Sequence, residues 1–166
     1  MAEKDQLIKE KLDHSGLFDF SALYSFAHSW YKTEEYGVIE EKYSEKVSGN
    51  ARDMDIEWKA NKPLSDYFKI EQKLKFEVRE LTDVEVEIDG KKRKMNKGKI
   101  SLEIKGVLVR DPASQWEVSS FYKFLRGVYD KYIIPARVDA MEDKIREDVK
   151  TLKEQLKAFL ELTGKR

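Results

Sequence analysis

The chain has no cysteine, two histidines, three prolines and eight glycines among its 166 residues. Without cysteine there is no disulfide framework and no thiolate metal site, which disfavours a small secreted scaffold. Two histidines are too few for a transition-metal site of their own, and no glycine-rich phosphate loop or nucleophile elbow occurs. Net charge is missing as well. The 32 Lys and Arg residues balance 32 Asp and Glu, so no global field draws the chain toward nucleic acid or an anionic membrane. No apolar run approaches the roughly 18 to 20 residues of a membrane span, and the opening MAEKDQLIKEKLDH lacks the apolar stretch of a signal peptide. These absences predict a cytoplasmic protein with no metal and no cofactor.

The sequence instead has charge in quantity, 39% of residues, and one long period. From Val138, apolar residues recur at Met141, Ile145, Val149, Leu152, Leu156 and Phe159, with Leu160 alongside and charged residues between. This spacing predicts a single amphipathic helix from Pro135 to just before Gly164, about 27 residues and about 40 Å long. Its steps of 3, 4, 4, 3, 4 and 3 are not a strict heptad, and Asp148 and Gln155 interrupt the stripe. Packing on its own sheet is therefore expected over a coiled-coil dimer, and a monomer over an oligomer.

Upstream, residues 3–13 read as a short polar helix ending at Gly16. Phe20 and Ser21 read as the staple and cap of a second helix carrying Leu23, Tyr24, Phe26, Ala27, Trp30 and Tyr31. From Val38 the period becomes two. Ile39, Tyr43 and Val47 are expected on one face of a strand. After the Ser48-Gly49-Asn50 turn, Met54, Ile56, Trp58 and Ala60 form the next. Lys62-Pro63 breaks this pattern. Phe68 to Val78 makes a third strand, long enough to bend or bulge, and Val84 to Ile88 a fourth. Asp89-Gly90 is a strong hairpin turn. It leads to Lys91–Met95, a looser turn at Asn96–Gly98, and a last strand on Ile100, Leu102 and Ile104 whose phase shifts near Gly106. A helix over 119–133, with Phe121, Phe124, Leu125, Val128, Tyr129 and Tyr132 on its apolar side, precedes the long one.

The expected fold is α+β: an antiparallel meander of five to six strands packed against N-terminal helices and a long C-terminal amphipathic helix. One domain is expected over 1–166, with a helical segment at 1–35, the sheet at 37–110 and a helix pair at 119–162.

Two clusters are candidate sites. Six of the nine residues from 91 to 99 are basic: Lys91, Lys92, Arg93, Lys94, Lys97 and Lys99. A salt-dependent RNA or anionic-surface patch is one reading. Against it, Asp83, Glu85, Glu87 and Asp89 can oppose these cations across a hairpin, lysines protect sheet edges, and no aromatic interleaves the run. The solvated edge is the preferred reading. The second cluster is aromatic. Tyr24, Trp30, Tyr43, Trp58, Phe76 and Tyr129 would line a pocket for an apolar small molecule or lipid, although plain core packing uses the same residue types. No catalytic constellation emerges. His14 lies in a polar segment, His28 among aromatics, and the pairs Glu34-Glu35 and Glu40-Glu41 do not converge on one atom.

The stretches YKFLRGVYDKYIIPAR (122–137) and DGKKRKMNKGKI (89–100) resemble uncharacterised small archaeal proteins. The element order, a sheet followed by a long C-terminal helix, is similar in layout to the helix-grip or START-like architecture. It departs from that layout in lacking a first strand before the N-terminal helices and in the extra helix before the long one. The sequence leads to a non-catalytic binding or protein-interaction domain. Its alternatives are a START-like carrier of an apolar ligand, and an RNA or anionic-surface binder acting through 91–99.

Overall fold

The computed structural model describes residues 3–65, 67–110 and 134–164. The helix expected over 119–133, with Tyr129, lies outside them. Within them runs a five-stranded antiparallel sheet with two helices: β1 (Glu3–Phe18), α1 (Phe20–Thr33), β2 (Gly37–Ser48), β3 (Ala51–Pro63), β4 (Phe68–Ile88), β5 (Lys91–Arg110) and α2 (Ile134–Gly164). Strand order is β1-β5-β4-β3-β2. The antiparallel meander is as expected, but it has four strands over 37–110 in place of five to six, and β1 adds the fifth beside β5.

β1 corrects the sequence reading most. Residues 3–13 are strand, not helix. Leu7 and Ile8 are adjacent in sequence, yet both pack against the core, because the register with β5 shifts between Gln6 and Ile8. A bulge thus hides the period of two. Further along, Glu10 shares the inward face and meets Lys153 of α2 at 3.1 Å. The cap of α1 is Asp19, whose Oδ1 accepts the Ala22 N–H at 3.0 Å, and not Ser21.

The expected third and fourth strands are one strand, β4. Its interruption is a register shift between Arg79 and Thr82, with Glu80 at φ 55°. Gly98, read as part of a turn, sits within the continuous β5 opposite this bulge. A Cβ there would lie 2.9 Å from the Glu80 carbonyl oxygen, so the glycine marks a close backbone approach. Asp89 (φ 53°) and Gly90 (φ 78°) form the expected hairpin turn with two positive φ values. Near Gly106, β5 does not change phase. Ile100, Leu102, Ile104 and Leu108 continue on the helix side, while Val107 and Val109 are buried on the other.

A third bulge, between Glu40 and Lys42 of β2, overturns the expectation that Ile39, Tyr43 and Val47 share a face. Ile39 pairs with Lys59, and Tyr43 with Ile56, whose side chains point to opposite sides of the sheet. All three are exposed, at 59%, 54% and 62%.

Helix α2 has 31 residues, about 46 Å at 1.5 Å per residue, and lies across β1 and β5. Val138, Ile145, Val149, Leu152, Leu156 and Leu160 are buried, so the stripe faces the chain's own sheet. Gly106 makes this seat possible: a Cβ there would fall 2.7 Å from Ile145 Cγ2 and 2.9 Å from Val149 Cγ2. Beside it, α1 packs Phe26 on Phe159 of α2 at 5.1 Å and Phe20 on Phe76 of β4 at 6.3 Å. The opposite sheet face carries charged side chains, including Lys9, Lys11, Lys59, Glu71, Lys73, Lys75, Glu103 and Lys105, several of them paired across strands. No helix among the described residues is long and apolar enough to cross a membrane.

Candidate functional site

Three of the six aromatic candidates converge. Tyr24 of α1 meets Trp58 of β3 at 4.7 Å and Phe76 of β4 at 5.9 Å, and Trp58 meets Phe76 at 5.0 Å. His28 adds an edge on Trp58 at 5.8 Å. The Glu40 carboxylate accepts from the Tyr24 hydroxyl at 2.8 Å and from Trp58 Nε1 at 3.4 Å. Burial, then the hydrogen bond to Glu40, raises the Tyr24 pKa. These rings lie in edge contact with one another, so they fill space and do not line it. Trp30 packs elsewhere, against Tyr31 and Tyr36. Tyr43 is exposed on β2, its hydroxyl donating to Glu45 at 2.9 Å.

Sequence reasoning did not find the buried chain of hydrogen bonds where α1, β4 and α2 meet. The Tyr31 hydroxyl donates to Gln72 Oε1 at 3.1 Å, and Gln72 Nε2 donates to the Tyr36 hydroxyl at 3.0 Å. That hydroxyl in turn donates to Asp148 Oδ2 at 2.9 Å. Lys144 completes the chain, donating to Asp148 Oδ1 at 2.8 Å. Burial pushes both tyrosines well above their ordinary pKa, and the Asp148 charge adds to the effect on Tyr36. None of the side-chain nitrogen and oxygen atoms in this network is buried without a hydrogen-bond partner, which suits a device fixing how helices sit on a sheet. The sequence signal for it was Asp148, the polar break in the α2 stripe.

Elsewhere the chemistry is sparse. His14 Nε2 donates to the Leu17 carbonyl at 3.0 Å and its ring packs on Phe18, on a different element from His28. Among the described residues, no group of three or more His, Cys, Asp or Glu side chains could hold a metal.

The basic run places its side chains on a two-stranded extension. β3 pairs with β4 only as far as Leu81, and β1 with β5 only as far as Asn96, so the hairpin from 83 to 95 projects past the sheet. Lys92 lies opposite Glu87, Lys94 opposite Glu85, Arg93 opposite Val86 and Lys91 opposite Ile88. Lys97 and Lys99 lie further in, beside the bulge.

Where this hairpin meets the N-terminus of α1 and the C-terminal turns of α2, a cleft of about 400 Å³ opens. Its walls are Ala22, Ile88, Met95, Phe159 and Leu162, with Asp19 and Arg93 as the polar lining groups. Met95 is 4% exposed, Leu162 67%, so the cleft runs from the protein interior to solvent. Another hollow of about 420 Å³ lies among Asp13, His14, Glu77, Arg79, Lys99 and Ser101. Its polar groups are in part already engaged, Arg79 with Asp55 at 2.9 Å and Ser101 with Asp13. Of the two, the first has the apolar wall and few convergent polar groups of a small-molecule site.

No protein-family model and no curated protein matches the chain.

Proposed function

We propose that this chain is a non-catalytic binding domain whose ligand is an apolar small molecule held in the cleft between the β4–β5 hairpin and the adjoining ends of α1 and α2. The observation that carries this reading is the cleft itself, about 400 Å³ and walled by Ala22, Ile88, Met95, Phe159 and Leu162, a volume within the usual range for ligand sites. It draws on the carrier expected from the helix-grip-like layout. Support for that layout comes from β1, a strand ahead of α1, and from α2, which lies against β1 and β5. The site differs from the aromatic residues expected to line it, because Tyr24, Trp58 and Phe76 pack on one another. A non-catalytic role is favoured by the buried Tyr31–Gln72–Tyr36–Asp148 chain, whose hydroxyls and carboxylate are already engaged with one another.

Native mass spectrometry of the purified protein, with uptake of a neutral fluorescent apolar probe, tests the reading. We expect an adduct or saturable probe binding in the wild type, abolished by Ala22→Trp and weakened by Leu162→Glu. A bare mass with no probe uptake, or uptake that both variants retain, would remove it.

A further inference from the structure

We infer that the ligand of this cleft is an amphiphile with a single apolar chain and an anionic head, a long-chain carboxylate, and that Arg93 receives the head. The inference rests on the cleft reading above and adds the charge of the ligand to it.

The argument starts from the register. Of the cations at the hairpin tip, Lys92 and Lys94 each face an acidic residue across the ladder, Glu87 and Glu85, and such opposite pairs offset one another. Arg93 faces Val86. Lys91 likewise faces an apolar residue, Ile88, but of these two cations only Arg93 lines the cleft. It is also the one basic side chain among the cleft's lining residues. No described carboxylate lies in ion-pair range of its guanidinium, whereas Arg52, Arg79, Arg110 and Arg146 all have such partners.

The other charged lining group, Asp19, is already committed. Its Oδ1 accepts the Ala22 N–H at 3.0 Å as the cap of α1, where the helix N-terminus stabilises the carboxylate. A ligand anion thus meets, on one side, a guanidinium with no carboxylate in ion-pair range and, on the other, a carboxylate whose Oδ1 is engaged by its own helix and whose charge the helix N-terminus offsets in part. A guanidinium beside an apolar wall fits a carboxylate better than an ammonium does, since its planar fork can donate two parallel hydrogen bonds. The remaining wall, Ala22, Ile88, Met95 and Phe159, takes the chain, and its loss from water drives the binding.

The test compares laurate with dodecanol, which share a chain and differ in charge, by calorimetric titration of the full-length protein. Vesicles of phosphatidylglycerol form a third arm. The wild type is expected to bind laurate more tightly than dodecanol. Arg93→Gln should weaken laurate by about tenfold, the size expected when one charge-assisted contact is lost, and leave dodecanol unchanged. Arg93 is exposed, so the variant folds, and Arg93→Lys should recover part of the preference. If laurate and dodecanol bind equally and Arg93→Gln alters neither, the cleft reading stands and this inference fails. If neither binds, both fail. Binding to the vesicles alone, unaffected by Ala22→Trp, would also overturn the inference, because the hairpin lysines would then be acting as a surface patch.

Discussion

The Tyr36 hydroxyl accepts from Gln72 Nε2 and donates to Asp148 Oδ2, so its removal takes one hydrogen-bond partner from each of two buried side chains at once. We predict that Tyr36→Phe lowers stability by about 1 to 3 kcal/mol, the cost of leaving buried polar groups unpaired, measured by urea unfolding. A variant as stable as the wild type would mean that water replaces the hydroxyl. Glu71 gives a pH prediction on the other sheet face. It is 1% exposed, and burial alone would raise its pKa. Lys59 at 3.1 Å and Lys4 at 3.4 Å more than offset this and hold the carboxyl below its ordinary 4.5. A depressed folded-state value adds stability above the unfolded value, and that stability is lost as pH falls through the folded one. Between pH 7 and about pH 3, the wild type should therefore lose more stability than Glu71→Gln. Parallel curves for the two would contradict the pairing. At this scale the sequence was partly legible. Asp148 stood out as a misfit in an apolar stripe, but its hydroxyl partner is 112 positions away, and no local pattern carries that information.

Helix α2 was the most legible element, since six buried side chains fall where a period near 3.6 puts them. The strands were less so, for one repeated reason. Bulges at Gln6/Ile8, Glu40/Lys42 and Arg79/Thr82 each insert a residue and reverse the alternation that identifies a strand. That is why residues 3–13 read as a helix, why Ile39 and Tyr43 were given one face, and why β4 read as two strands. The turn read at Asn96–Gly98 has the same origin, because Gly98 serves the β4 bulge. Gly106 gives the sharpest prediction here. Gly106→Ala should cost about 1 to 3 kcal/mol by forcing α2 off the sheet, although alanine is otherwise acceptable in a strand. Leu152→Ala should cost about 2 to 5 kcal/mol through the cavity it leaves. Thermal unfolding of both would check the seating of α2, and a neutral Gly106→Ala would contradict it.

On the scale of the molecule, one sheet face is apolar and roofed by α1 and α2, the other is charged, and the hairpin projects from the end where both helices stop or start. Balanced charge is consistent with this division, since many lysines and glutamates of the sheet lie near one another, and in the hairpin Lys92 and Lys94 lie opposite Glu87 and Glu85. The cleft was not legible from sequence. Ala22, Ile88, Met95, Phe159 and Leu162 come from four elements, and none is unusual where it stands in the chain. Methyl-resolved NMR of the full-length protein during titration with dodecanol tests the central claim most directly. The account predicts shifts concentrated at Ala22, Ile88, Met95 and Leu162, with Ile56 and Met54 beneath the aromatic cluster unmoved. Shifts centred on Ile56 and Met54, or none at any methyl, would contradict it.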